Sequence, residues 1–252
     1  MTEKMNPETI NPRLDNPKKA EMKQIRWVLR VGFAGIIILL IQCLPSRVLF
    51  SPVPSKIKSI EGYASLRVYG EEETARTKFS FIFLLPDQGN IEASNFLGQT
   101  IYRIIINSEG AYLIIPSKKV YWKGHEEEII YTFLGFKLNM REMISLLTGE
   151  WKELGLIQKE GYDQGWKLEK DQTGRIRSGW RGTLHFEIQE FVENSSLARI
   201  LMFENEFTHG RVRLIKANFN RPIKSEAFSA NFLRGYQRKS WEEIQALIDN
   251  ES

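Results

Sequence analysis

The stretch "IEGYASLRVYG" (residues 60–70) decides the fold class, because its side chains alternate strictly along the chain. Even-numbered positions from 60 to 68 are apolar or small, and most of the odd-numbered ones are polar. A period of two is that of a β-strand with one buried face. The stretch "TKFSFIF" (residues 77–83) repeats the pattern with a phenylalanine at every second position, after a charged link at 71–73. Together they predict an antiparallel hairpin.

The same signal continues through the rest of the chain and is interrupted by two helical patterns. Asn139 and Glu142 form a capping-box pair ahead of an apolar stripe that ends at Gly149, and a second helix is predicted from Ser240 to Asp249. The run 126–128 is predicted to be a charged hairpin tip. Further strands are predicted at 90–98, 100–106, 111–116, 118–124, 165–171, 175–182, 183–193, 198–207 and 211–219.

Short connections between these segments favour antiparallel meanders over a parallel sheet. The predicted fold class is mainly β (α+β): a single, highly curved antiparallel sheet of about 10–11 strands, with helices covering its concave face. No linker is visible after residue 57, so residues 58–252 are predicted to form one domain.

Composition and motifs exclude several functional classes. The net charge of +4 belongs mostly to residues 1–30, and the chain from Cys43 onward carries only +1, which argues against nucleic acid. One cysteine excludes an internal disulfide and a cysteine-based zinc site. His125, His185 and His209 have no metal-ligand spacing, and no nucleophile or phosphate-loop motif occurs. We therefore expect no catalytic residues, no metal, no cofactor and no enzymatic activity.

The N-terminus has the pattern of an export signal. Residues 31–41 are apolar and follow three basic residues, and this run is short for a transmembrane helix. Residues 22–42, starting at Met22, are predicted to be a signal peptide. Residues 1–21 are predicted to be a disordered extension, with translation starting at Met22. The alternative is an uncleaved anchor over 27–44.

The lone cysteine stands directly after this segment. Leu40–Cys43 resembles a bacterial lipobox, in which the cysteine is lipidated and becomes the new N-terminus. Gln42 departs from the pattern, since a small residue is usual before that cysteine. An incidental thiol is the third possibility. Residues 43–57, which include three prolines, are predicted to be a tether.

Several strands carry apolar side chains on both faces. An antiparallel sheet with one face in solvent requires apolar side chains on only one face. "FIFLLP" (81–86) and "IYRIII" (101–106) are examples. Helices that cover the second face would explain this with a solid core. An open apolar cavity explains it equally well, with Met140 and Met143 on a deformable lid helix.

The order of these motifs resembles the LolB family of outer-membrane lipoprotein receptors and, more loosely, its periplasmic relative LolA. The resemblance rests on "IEGYASLRV" followed by "ARTKFSFIF", on "NFLGQT" (95–100), and on "FLGFKLNMREMISLLTG" (133–149), all behind a cysteine at a signal end. It covers residues 60–149; the later strands match only in architecture, and the C-terminal helix is not part of it.

The resemblance implies an unclosed β-barrel whose cavity holds the acyl chains of lipoproteins, with lidding helices. The partners that it implies are lipidated proteins, a LolA-like periplasmic carrier and membrane lipid. It also implies that the protein is a periplasm-facing lipoprotein in a Gram-negative-type envelope, and that it delivers cargo to the outer membrane. Leu97, next to Phe96, matches an exposed loop leucine needed for membrane insertion; a buried loop anchor is the alternative. Candidate cavity residues are Leu66, Phe81, Phe83, Ile104, Ile106, Ile114, Met143, Ile144 and Leu147. A lipid-sensing or envelope-assembly component without transfer is the alternative function.

Overall fold

A computed structural model describes residues 50–69, 74–95, 97–151, 157–158, 161–162 and 165–249. The predicted extension 1–21, the predicted signal peptide 22–42 and Cys43 lie outside these residues, as does Phe96. Residues 50–57 of the predicted tether are described. Ser51 donates from its backbone N–H to the Ala217 carbonyl oxygen at 3.3 Å, and Ile57 is buried, so this stretch lies against the sheet.

The described residues form fourteen strands and three α-helices. The helices are α1 (Glu126–Leu134), α2 (Met140–Thr148) and α3 (Trp241–Asp249). The strands are β1 (Ser59–Tyr69), β2 (Thr74–Leu84), β3 (Gln88–Ser94), β4 (Thr100–Asn107), β5 (Gly110–Ile115), β6 (Val120–Gly124), β7 (Ile157–Gln158), β8 (Gly161–Tyr162), β9 (Lys167–Lys170), β10 (Ile176–Arg181), β11 (Leu184–Phe191), β12 (Ala198–Glu204), β13 (His209–Phe219) and β14 (Gln237–Arg238).

Twelve of these strands form one open sheet in the order β14-β6-β5-β4-β3-β2-β1-β13-β12-β11-β10-β9, and β7 pairs with β8 separately. The predicted fold class is confirmed: mainly β, with one unclosed sheet. Within the described residues, β14 pairs with β6 in parallel, whereas the other ladders of the large sheet are antiparallel. A two-residue edge strand has no alternation to detect, so the sequence pattern did not reveal β14.

The helix boundaries follow from their caps. Asn139 Oδ1 accepts from the Glu142 backbone N–H at 2.9 Å, Glu142 Oε2 accepts from the Asn139 N–H at 2.9 Å, and Gly149 ends α2 at φ +77°, as predicted. The interpretation of 126–128 as a hairpin tip is wrong, because these glutamates form the first turn of α1. Acidic side chains are favourable there, since the helix N-terminus carries partial positive charge.

One of the bulges in the sheet lies where β1 meets β13. Their register shifts between Tyr63 and Ala64, and Gly62 allows the close approach, because a Cβ there would lie 2.1 Å from the Lys216 carbonyl oxygen. A bulge of this kind bends a strand and increases its twist. The concave face therefore folds around the main core, which also contains buried residues of all three helices.

The C-terminal segment crosses the convex face before α3 packs into that core. Asn90 Nδ2 donates to the Ala227 carbonyl oxygen at 2.7 Å, and Asn107 Nδ2 donates to that of Phe228 at 2.7 Å. The chain then pairs with β6 through β14. The ring of Trp241 at the start of α3 lies 4.5 Å from that of Trp122, centroid to centroid. This segment covers an outer apolar cluster that contains Ile105, Tyr112, Ile114 and Leu233.

Candidate functional site

An apolar cavity of about 160 Å³ lies between the concave face of the sheet and the helices α1 and α2. Strands β1–β4 and β11–β13 supply its floor, and both helices and the link between them supply its roof. The hydroxyls of Thr77 and Tyr102 are the polar side-chain groups among the described residues that line it. A cavity so poor in hydrogen-bonding partners favours an apolar occupant over ordered water.

The floor is built by alternation, which places every second side chain of a strand on the same face. Phe79, Phe81 and Phe83 stand in a row along β2, with ring centroids 6.2 Å and 4.8 Å apart. On β3, Ile91 is paired with Phe81 of β2. On β4, Ile104 is paired with Ile91, so both isoleucines continue this surface across the sheet. Aromatic and branched side chains in this arrangement give a wide, rigid apolar floor.

The structure brings seven of the nine candidate cavity residues together at the cavity wall: Leu66, Phe81, Phe83, Ile104, Ile106, Met143 and Leu147. Ile144 is fully buried in the core beside them and does not reach the wall. Ile114 lies on the convex face, in the outer cluster. Its neighbour Leu113 is the residue paired with Ile104, so alternation turns Ile114 away from the cavity.

Sequence reasoning missed the part of the cavity wall that lies beyond residue 149. Phe186 on β11, Phe203 on β12 and Val212 on β13 line it too. Their strands show the same alternation, which could have identified them. The roof residues of α1, such as Ile130 and Phe133, were missed because the helix itself was not predicted.

The two roof helices are held in different ways. In α2 the Glu142 side chain is 1% exposed, and Oε1 accepts from Trp166 Nε1 at 2.8 Å and from Arg181 Nη1. In α1 the fully buried side chains are the apolar Ile129 and Ile130. Removing one partner from a buried ion pair costs about 3–5 kcal/mol, whereas apolar contacts can be exchanged for acyl contacts at little net cost. Opening of the roof should therefore move α1 rather than α2.

The first turn of α1 also carries a titratable group in a poorly solvated place. Partial burial raises the pKa of the Glu126 carboxyl above its ordinary value, while a hydrogen bond from the Met140 backbone opposes the shift. Nearby Glu127, Asp87 and Glu142 raise it further. The desolvation outweighs the favourable position at a helix N-terminus.

Two loops at one end of the sheet carry exposed apolar side chains. Leu97 in the β3–β4 loop is 68% exposed, and Phe207 in the β12–β13 turn is 69% exposed. In each loop an asparagine at the base accepts from the backbone two residues on. Asn95 Oδ1 accepts from the Leu97 N–H at 3.0 Å, and Asn205 Oδ1 accepts from the Phe207 N–H at 2.9 Å. These turns hold both apolar side chains at the loop surface.

These loops adjoin one end of the cavity, and we call that end its mouth. Ala93 lines the cavity one residue before β3 ends, and Val212 lines it three residues after β13 begins. The same end carries the C-terminus of α1, where Asn205 Nδ2 donates to the Gly135 carbonyl oxygen at 2.9 Å. Leu97 was singled out from the sequence. Phe207 was missed, although the asparagine two residues earlier is a signal that could have found it.

The described residues hold no group of three or more histidine, cysteine, aspartate or glutamate side chains placed to bind a metal ion. His185 Nδ1 lies 2.8 Å from Glu204 Oε1, and the His185 ring stacks on Trp180. All three side chains lie on the convex face. None of the helices in the described ranges is long and apolar enough to cross a membrane.

Comparison with known proteins gives structural neighbours only. No family model matches, and no curated protein matches. A LolA superfamily protein from Nitrosomonas europaea superposes with a TM-score of 0.49 at 9% identity, covering 70% of this chain and 92% of that one. A DUF1329 family protein from Desulfovibrio piger gives 0.46 at 9% identity, with coverages of 71% and 92%.

A third neighbour is a putative outer membrane lipoprotein-sorting protein domain from Vibrio parahaemolyticus. It superposes with a TM-score of 0.45 at 10% identity, covering 71% of this chain and 93% of that one. At these values the likeness is one of chain arrangement, and it gives this chain no function. Membership in the LolB family stays a prediction.

Proposed function

We propose that this chain binds the acyl chains of lipidated proteins in its apolar cavity and delivers them to a membrane. The observation that carries the proposal is the cavity itself, whose wall is apolar apart from two hydroxyls and whose mouth adjoins the exposed Leu97. Removing one CH₂ from water is worth about 0.8 kcal/mol, so an acylated protein needs such a shield to cross an aqueous compartment. Transfer requires no covalent step, because a bilayer offers comparable apolar burial.

The volume of the cavity limits how much of an acyl chain it can shield from water while the roof is closed. A water molecule takes up about 30 Å³ in the liquid, so a cavity of 160 Å³ would hold about five of them. That volume suits a segment of one acyl chain. Cargo with several chains requires the roof to open, and we expect α1 to swing outward while the Glu142 contacts hold α2.

The proposed setting is a bacterial cell envelope, with a LolA-like carrier supplying cargo and the outer membrane receiving it. The chain is proposed to be cleaved just before Cys43, and Cys43 is proposed to be lipidated. The lipid would then anchor the chain to a membrane through the tether. Intact-mass analysis of membrane-extracted protein tests this part: a chain that starts at an acylated Cys43 supports it. Recovery of residues 22–42 would support the uncleaved anchor over 27–44 instead.

Leu97→Glu separates binding from delivery. Leu97 is exposed and does not line the cavity, so the variant should retain bound lipid while its delivery of an acylated protein to acceptor vesicles falls. Gln99→Glu places the same charge in the same loop without removing the leucine and should deliver normally. Normal delivery by Leu97→Glu would eliminate the role of the loop. Loading without delivery in the unaltered protein would favour the lipid-sensing alternative.

A further inference from the structure

A second, polar space lies directly behind one wall of the apolar cavity. It is an open cleft of about 570 Å³ between α1, α2, the link that joins them and the β10–β11 turn. Three residues line both spaces: Phe136, Leu138 and Leu184. All three are buried, at 7% exposure or less. A single layer of apolar residues therefore separates the cavity from this cleft, which we call the side cleft.

The side cleft lies at the same end of the sheet as the mouth. Its far wall is the β10–β11 turn, and Arg181 is paired with Leu184 across that turn. His185 is paired with Glu204, which precedes the β12–β13 turn, and Asn205 of that turn also lines the cleft. A ligand whose chain lies in the cavity can therefore place its other end in the side cleft without crossing the protein.

The link between α1 and α2 is held along its backbone. Residues 135, 137 and 139 each form a backbone hydrogen bond with a side chain, from the β12–β13 turn, from β10 and from α2 in that order. The wall residues Phe136 and Leu138 alternate with these three points and belong to neither a helix nor a strand. Turning these two side chains aside would join the two spaces while the backbone of the link stays in place.

Charged groups of both signs line the side cleft. Glu142 at its base is buried and accepts from Arg181, so these two charges neutralise each other. Of the other two charged residues, Glu127 is half-buried and Lys137 is exposed. Two carboxylates and two cations leave the cleft without net charge. An ionised head group gains little net Coulomb attraction there and loses water, so an uncharged polar group fits better.

Four polar side chains of the side cleft are available to a ligand. Within the described residues, no hydrogen bond or ion pair engages the side chains of Glu127, Tyr131, Lys137 or Thr183. The ammonium and the two hydroxyls can donate to a carbonyl oxygen, and the carboxylate can accept from an N–H. Ester and amide groups present that carbonyl oxygen, and an amide presents the N–H as well. These are the groups that join an acyl chain to the rest of a lipidated molecule.

We propose that the side cleft holds the uncharged ester or amide linkage of an acylated ligand whose chain lies in the apolar cavity, with Phe136, Leu138 and Leu184 forming the portal between the two spaces. The inference rests on the proposed function, because it assigns the polar end of the same ligand. Burial is favourable for the chain but costly for a linkage that finds no hydrogen bond. The side cleft supplies those hydrogen bonds one residue layer away from the cavity.

The test varies the head group on a constant chain and uses the full-length protein. Three probes share a decanoyl chain: the uncharged N-decanoyl glycinamide, the anionic N-decanoyl glycine and the cationic N-decanoyl ethylenediamine. Each probe is titrated against protein that carries a fluorescent fatty acid, and the concentration that displaces half of it is measured. We expect the uncharged amide to displace the fatty acid at a lower concentration than either charged probe.

Charge reversal in the side cleft should change the preference between the two charged probes in opposite directions. Glu127→Lys should favour the anionic probe on the order of tenfold, and Lys137→Glu should favour the cationic probe by a similar factor. Both shifts should shrink in ~1 M salt. Glu193→Lys and Lys170→Glu are the matched controls, because they make the same changes at exposed positions at the opposite end of the sheet. The controls should leave the preference unchanged.

Shifts no larger than those of the controls would overturn the inference, as would a preference of the unaltered protein for the anionic probe over the amide. Ala93→Phe places a ring inside the cavity and tests the proposed function separately, since it should weaken all three probes alike. If it does so while the charge reversals have no effect, the proposed function stands and this inference fails. If the reversals act while Ala93→Phe leaves all three affinities unchanged, the side cleft binds the head groups and the proposed function fails.

Discussion

Filling the cavity with one aromatic ring tests whether the cavity is the binding site. Ala93 lines the cavity near its mouth, between Phe79 on β2 and Tyr102 on β4. An apolar cavity of about 150 Å³ accommodates a benzene ring, so the phenyl group of Ala93→Phe should occupy most of the 160 Å³ found here. If the ring excludes as few as four methylenes, the bound lipid loses about 3 kcal/mol, which is on the order of 100-fold in affinity.

The same substitution should leave the fold intact. Burying the new ring contributes about 1.5–3 kcal/mol, and overpacking costs about 1–3 kcal/mol, so the two nearly cancel. We expect a melting temperature within a few degrees of the unaltered protein. Ser94→Phe is the control, since it adds the same ring on the opposite face of the same strand. Lipid extracted from purified protein is measured by mass spectrometry. Unaltered lipid content in a folded Ala93→Phe protein would refute the argument.

Three further predictions follow from the roof. Glu142→Gln should lower the free energy of unfolding by about 3 kcal/mol in denaturant titrations, because it leaves the Arg181 charge without its buried partner; a loss below ~1 kcal/mol would contradict this. Burial raises the pKa of Glu126 from its ordinary value of 4.5. The stability that the protonated carboxyl contributes is therefore fully present below pH 4.5 and is lost as the pH rises through the raised pKa. Glu126→Gln should therefore raise the melting temperature at pH 7 and much less at pH 4, whereas the exposed Glu128→Gln should not; a pH-independent gain would count against desolvation. Asn205→Ala removes the hydrogen bond to Gly135 together with those that Asn205 Oδ1 accepts from the Phe207 and Thr208 N–H groups, and it should speed exchange of a fluorescent fatty acid, with about 1.5–4.5 kcal/mol of stability lost; unchanged exchange would mean that α1 is not the moving part.

The strands were predictable because alternation is a local signal that burial on one face imposes. The hairpin of β1 and β2, the capping box of α2 and the cap of α3 at Ser240 were predicted for that reason. Helix α1 was missed, because three successive glutamates obscure its apolar side, and only packing against the sheet shows that Ile129 and Ile130 are buried. Which face of β5 points inward depends on its register with β4, and a sequence does not state registers; this is why Ile114 was misplaced.

Leu97 was found because a resemblance pointed to its loop. Phe207 lies in the half of the chain that the resemblance does not cover.

The central claim, that acyl chains of cargo occupy this cavity, is tested most directly by photo-crosslinking from its wall. A benzophenone amino acid at Phe81, which lines the cavity, is compared with the same group at Ser80, which is paired with Tyr63 on the convex face. After incubation with an acylated protein and irradiation, the account predicts an acyl-bearing adduct at position 81 and none at position 80. No adduct at position 81, or equal adducts at both positions, would contradict it.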